Sequence, residues 1–425
     1  MQIIRTLSDL DAKIEECNLA EAQSDEALRA LFPTFRMEMP KKLPADPFAL
    51  EYREIQLALY HEIAGVPYSL AQEKTKFDVE TALRDPFPFH TRSTAVAGEY
   101  LMAIGFLLQV MALPGGSRVL EFGAGWGFTT LSLAKLGHKV SVIEIEPCFC
   151  DFIKRQAERE KVTIEIINAD FFHIESEKRQ FDALLFYDCF HHCDDHMRLL
   201  RALDRVLSPG GRVFFGGEPI SNEFTEPWGL RLDGWSLWGI RKNGWMELGF
   251  REDYFAQALL RAGLFARKAS VPGFNRLRVW EARRIREAIF RYPASAPEIR
   301  TEIGKLYDHR LILDGTRRGT GIFGPYVDLP AGRYGASIIF APAIAAFGEA
   351  LMDIAANGGS VRLAKQKLRF SGEIGASAHL QFEILPENRS IEVRLICERG
   401  FRAAIDCVEI WPLPEGPELD DTVCT

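Results

Sequence analysis

The densest run of reactive side chains in the 425-residue sequence is Asp188-Cys189-Phe190-His191-His192-Cys193-Asp194-Asp195-His196. A neutral imidazole titrates near neutrality, so His191 or His192 could take the proton of an alcohol and make it a nucleophile. Equally, one of the pair could do no more than orient the loop. Cys189, His191, His192, Cys193 and His196 also offer the nitrogen and sulfur donors of a zinc site, without the paired Cys-x-x-Cys spacing usual there. Asp188 and Asp194 offer oxygen donors that suit Mg²⁺ better, with an acceptor's hydroxyls completing its shell. Glu218, just beyond a hydrophobic stretch, could hold a hydroxyl, assist a base, or pair with Arg231.

A second constellation lies upstream, where Val119 to Gly127 reads VLEFGAGWG. Glycines at alternate positions after a buried strand let a ligand approach the main chain, because no Cβ stands in the way. Arg118 to Phe122 reads as that strand and Trp126 to Leu136 as the helix after it, stopped by Gly137. A dinucleotide site would place a third glycine at residue 128, which is Phe, so the spacing points away from NAD. The next strand, Lys139 to Ile145, ends in Glu144 and Glu146. A carboxylate at such an edge can accept both hydroxyls of a ribose, and Glu144 is better placed than Glu146. Asp170 and Phe171 follow a third strand, Thr163 to Ile167, at the same edge. The alternative for Asp170 is an Asx turn.

The elements that must carry these groups alternate in type. Phe181 to Tyr187 is a near-continuous apolar run of central-strand kind. Asp195 to Leu207 is a helix, Arg212 to Phe215 a fifth strand, Glu252 to Gly263 a helix, and Phe265 to Ser270 and Arg276 to Glu281 the last two strands. The acid before Gly-x-Gly-x-Gly, with the LSPGG turn at 207–211, resembles the class I S-adenosylmethionine-dependent methyltransferases over roughly residues 90 to 282. The resemblance implies an α/β fold, a seven-stranded doubly wound Rossmann-like sheet with its last strand antiparallel, and S-adenosyl-L-methionine as cofactor. It implies cofactor contacts from Glu121, Gly123, Ala124, Gly125, Glu144, Ile145, Asp170, Phe171 and Tyr187. The helix His90 to Leu113 would close over the methionine end, with Thr91, Arg92 and Glu99 as candidates.

Around this domain the chain changes character. Residues 1–89 lean to helix, interrupted by prolines at 33, 40, 44 and 47, and read as a cap or an oligomerisation arm, which allows a homo-oligomer. Residues 283–306 read as a linker. Residues 307–425 read as seven short strands with an Asn357-Gly358 hairpin turn, hence a β-sandwich. GPYVDLPAGRYGASIIF and the later VRLIC strand resemble, loosely, carbohydrate-binding-like sandwiches of bacterial glycan-modifying enzymes. An insertion after Glu218 holds Trp228, Trp235, Trp238 and Trp245, which suits a wall against sugars or planar groups, or a satellite hydrophobic cluster.

A net charge of −8 argues against a nucleic-acid partner; basic Arg283, Arg284 and Arg286 are flanked by acids. Ala103 to Leu113 is too short to span a membrane, and Gly335 to Ala356 is broken by Pro342, Glu349 and Asp353. The eight cysteines, Cys424 included, form no repeated framework, so reduced thiols in a cytoplasm are expected. The expected function is O-methylation of a sugar hydroxyl in a glycan or its precursor. His191 or His192 would be the base and Asp188 and Glu218 the assisting acids, with Mg²⁺ a possible addition. The alternatives are methylation of a non-sugar metabolite, and a non-catalytic glycan-binding protein that kept the cofactor fold.

Overall fold

Seven strands form one sheet: β1 Arg118–Phe122, β2 Lys139–Glu144, β3 Ile164–Asn168, β4 Phe181–Tyr187, β5 Leu207–Gly216, β6 Leu264–Ser270 and β7 Arg278–Arg284. Their order is β6-β7-β5-β4-β1-β2-β3. Strands β1 to β5 pair parallel and β7 runs antiparallel to β5, with Val279 opposite Gly216. The computed structural model describes residues 1–39, 42–274, 276–285, 289–341, 344–373 and 376–413; Pro40, Arg286, Pro342 and Cys424 lie outside them.

Several boundaries differ from expectation: the helix expected over His90 to Leu113 runs Thr94–Met111, the last strand runs Arg278–Arg284, and two more differ at the glycine-bearing turns. Strand β5 starts at Leu207 rather than Arg212, because Leu207 already pairs with Phe181 and the SPGG residues bulge out of register before Arg212 pairs with Ala183. The helix after the glycine turn begins at Phe128, since Gly127 takes φ +65° and caps it. Order along the chain brings the C-terminal ends of β1, β2 and β4 together, which is where open α/β sheets bind ligands.

The chain forms two compact units, Met1–Ala258 with Ala266–Arg283, and Leu259–Phe265 with Arg284–Thr425. The N-terminal segment thus folds with the sheet. Its helix Leu50–Ala64, ended by Gly65 at φ +79°, packs on the tryptophan insertion. Tyr52 donates to the Trp228 carbonyl at 2.8 Å, Gln56 accepts from the Leu230 N–H at 2.9 Å, and Tyr60 bonds the Gly244 carbonyl. The segment is thus packed against its own unit. Within the insertion, Trp228 donates to the Pro47 carbonyl at 2.8 Å and Trp235 meets Phe32 edge-on, ring centroids 4.9 Å apart. Trp228 and Trp238 are buried. Three of the four tryptophans are packing residues.

The helix Thr94–Met111 is long and apolar enough, by length and composition, to cross a membrane. Ala103, Ile104, Leu107 and Met111 make its buried side, and Leu107 and Met111 join Val119, Leu133 and Phe214 in a core beneath the sheet.

Among the described residues, the second unit holds a sheet of ten strands, all pairing antiparallel, from Phe290–Pro293 to Arg402–Pro412. Two of them, Phe290–Pro293 and Lys305–Tyr307, occupy residues expected to be linker. Their sequences are too short and irregular to show period-two alternation. The expected hairpin forms: Ala356 pairs with Val361, and Asn357 and Gly358 take φ +55° and +65°. Asp353 in that hairpin is fully buried and accepts from Arg394 at 2.7 and 2.8 Å and from Arg362 at 2.9 Å. Removing one partner of a buried ion pair strands the others, so Asp353→Asn is expected to cost about 3 kcal/mol. A lower urea midpoint for this unit checks it.

Candidate active site

The three glycines after β1 have three different reasons to be glycine. A Cβ on Gly123, at φ +57°, would stand 2.8 Å from the Cβ of Cys189; one on Gly127 would stand 3.0 Å from Ile153. Gly125, at φ +50°, has nothing within 4 Å of that position and faces a cavity of about 310 Å³. This is the open approach to the main chain that a ligand needs.

Glu144 ends β2 beside that approach. Its Oε2 accepts from the Gly125 N–H and its Oε1 from the Glu146 N–H, both at 2.9 Å. Burial raises its pKa against these two bonds. Each oxygen keeps a second lone pair for a ligand hydroxyl. Glu146 instead accepts from the Cys148 N–H and caps the next helix, Pro147–Glu160. Asp170 is an Asx-type cap to the Phe172 N–H at 2.8 Å and still lines the cavity, as do Ile145 and Phe171. Bare backbone at one point, a carboxylate at the next and an aromatic edge beyond fit a nucleoside with vicinal hydroxyls.

Four expected cofactor residues stand elsewhere. Glu121 is buried, its carboxylate accepting from the Thr129 and Thr130 hydroxyls that start the next helix, and burial pushes it up to about 7. Ala124 packs in the core. The Tyr187 ring lies against Gly216 and, edge-on, Tyr100. Arg92, the cap of the short turn Phe89–Thr91 at φ +55°, is exposed and pairs with Asp85 at 2.7 Å. Glu99 pairs with Arg276 at 3.0 Å, and Thr91 donates to the Pro88 carbonyl.

The loop after β4 separates its two histidines. Glu218 accepts from the N–H groups of Cys189 and Phe190 at 2.9 Å and of His191 at 3.2 Å, and from His191 Nδ1 at 2.8 Å. It anchors the loop from a buried position, and Arg231 pairs instead with Asp233 and Glu247. Burial pushes it up to about 7 even so. His191 is buried behind this anchor, and burial, with His192 adding, holds its pKa well below the usual imidazole value. His192 lines the cavity with Asp188, an exposed carboxylate at φ +55°.

Glu73 is the residue that sequence missed. It comes from the N-terminal segment, accepts from the Met246 N–H at 2.8 Å, and places Oε2 3.3 Å from His192 Nδ1. Burial, the largest single influence, would strip His192 of charge, but Glu73, Glu247 and Asp188 together overcome it, and the imidazole is pushed up to about 9. Leu70, Thr75, Trp126, Phe149 and Trp245 complete the walls, and Trp245 donates to Thr75 at 3.1 Å. Glu73 could not be found from local pattern, since it ends a short turn far from every motif.

The loop's metal donors do not converge as zinc would require. Cys189 donates to the Phe122 carbonyl, and His196 bonds the Tyr254 hydroxyl at 2.7 Å. Asp194 is paired with Arg53, which leaves Asp188 alone as an oxygen donor. Among the described residues, donor atoms of His191, His192 and Glu247 approach within 4.8 Å. There the Arg231 guanidinium, 3.4 Å from Glu247, already supplies the positive charge.

Residues 120–215 match the family described as methyltransferase domain. The chain is 27% identical over 100 residues to a ubiquinone biosynthesis O-methyltransferase of Coxiella burnetii, covering 24% of this chain and 43% of that protein. It is 29% identical over 120 residues to a demethylmenaquinone methyltransferase of Tropheryma whipplei, covering 28% and 46%. Against the solved 1,6-didemethyltoxoflavin-N1-methyltransferase of Burkholderia thailandensis, identity is 20%, coverage 57% of this chain and 93% of that one, and the TM-score 0.37. The chain spans under half the length of the curated relatives it matches. Residues 120–215, which hold most of β1, all of β2 to β4 and most of β5, are thus similar to a methyltransferase domain.

Proposed function

We propose that the chain is an S-adenosylmethionine-dependent O-methyltransferase acting on a sugar hydroxyl, with His192 as the group that takes the acceptor's proton. The observation that carries this is a single cavity lined by Gly125, Glu144 and Asp170 and also by His192, Asp188 and Trp245. The cofactor, when bound, supplies an electrophilic methyl group. The protein's part is placement and proton transfer. Glu144 accepts ribose hydroxyls, Phe171 packs near the base, and the loop held by Glu218 sets His192 in the same cavity. As the acceptor O–H bond breaks, the proton passes to the His192 ring nitrogen turned away from Glu73. Carboxylates at Glu73 and Asp188 suit hydroxyl donors, and an indole face such as Trp245 suits a pyranose ring.

A second reading, a non-sugar small metabolite as acceptor, is favoured by the quinone-pathway names of the matched relatives. Incubating glycan and metabolite extracts with enzyme and deuteromethyl-labelled S-adenosylmethionine, followed by mass spectrometry, separates the two. Label on a saccharide supports the first, label confined to a non-sugar compound replaces it, and absence of labelled product overturns both.

A further inference from the structure

Glu73 touches both the loop of His192 and the insertion, though no motif contains it. It closes the turn Leu70–Glu73, which Ser69 and Gln72 fix by capping each other. One oxygen is held by the Met246 N–H and the other faces His192 Nδ1 at 3.3 Å. Groups on every neighbouring element bear on that ring. Asp188 lies at the end of β4, and Glu247 lies on the insertion with Arg231 3.4 Å beyond it. His191 stands beside it, ring centroids 4.3 Å apart, and Tyr68 donates to the His192 carbonyl at 3.3 Å. Carboxylates outnumber cations there, so a proton on His192 is stabilised. A protonated imidazole cannot accept another proton. The methyl donor is itself a cation, and His192 lines the cavity that Gly125 and Glu144 open onto.

We propose that Glu73 is a positioning residue that ties the protonation of His192 to donor binding. It retains the proton on His192 until the cationic donor shares the cavity. His192 then releases that proton to solvent and can accept the acceptor's. The inference rests on His192 being the proton acceptor, and it adds an order: the base becomes competent after the donor arrives. S-adenosylhomocysteine, which lacks the positive sulfur, leaves His192 protonated.

The test is a pH titration of the His192 ring carbons in the full chain by NMR, assigned with His192→Asn, alone and with either S-adenosylmethionine or S-adenosylhomocysteine. His192 is expected to titrate near 9 alone and with the homocysteine product, and about 1–2 units lower with the methionine donor. Glu73→Gln keeps an oxygen for the Met246 N–H and removes the charge. It is expected to lower the His192 titration by a similar amount without ligand, move the pH–rate profile in parallel, and be partly rescued by Glu73→Asp. Equal titration of His192 with the two nucleosides overturns the coupling while leaving His192 as the base. An unshifted His192 in Glu73→Gln removes Glu73 from it. Failure of either nucleoside to shift the Gly125 amide overturns the proposed function itself.

Discussion

Gly125→Val is expected to abolish S-adenosylmethionine binding, measured by calorimetry as the loss of any heat of binding at high micromolar ligand. Two effects add. The backbone at φ +50° strains a β-branched residue, and the new side chain fills the space where no atom lies within 4 Å of the Cβ position. Folding should survive, since Gly125 meets no neighbour, whereas a side chain at Gly123 or Gly127 would collide with Cys189 or Ile153. Full affinity in the variant would remove the cradle from the account. Glycine at 125 thus serves the ligand, and glycine at 123 and 127 serves the packing of the turn.

His192→Ala is expected to leave donor affinity intact and slow transfer to an alcohol by about 10²-fold or more. The surviving rate should lose the rise with pH that a titrating base imparts, and single-turnover transfer across pH 6 to 10 measures both. His191→Ala should act differently. It removes the ring that Glu218 holds at 2.8 Å, so it should lower thermal stability and loosen the loop while keeping the pH dependence. Equal loss of rate and of pH dependence in both variants would mean that the pair acts as a unit.

How far these sites could be read from sequence follows from how local their causes are. The glycine turn and Glu144 are legible because an open approach to the main chain at Gly125 and an acid at a strand edge each leave a mark within a few residues. Glu121 misleads for the same reason: an acid beside the glycines looks like a ligand group, and its two threonine partners lie a turn further on. The histidine pair was visible but not its division of labour, which depends on Glu218, beyond another strand. Glu73 left no mark, because its partners at residues 192 and 246 are brought to it by the packing of Leu50–Ala64 on the insertion. In the second unit the hairpin was legible from Asn357-Gly358, whereas strands of three or four residues were not.

The union of helix Leu50–Ala64 with the ribbon Trp228–Leu230 and Leu248–Phe250 bears on what can be transplanted from such a chain. The two stretches form a paired cassette, stitched to each other through Tyr52 and Gln56, while the nucleoside cradle is encoded between them. Grafting one half alone would leave the Gln56 amide and the Tyr52 hydroxyl facing a stranger.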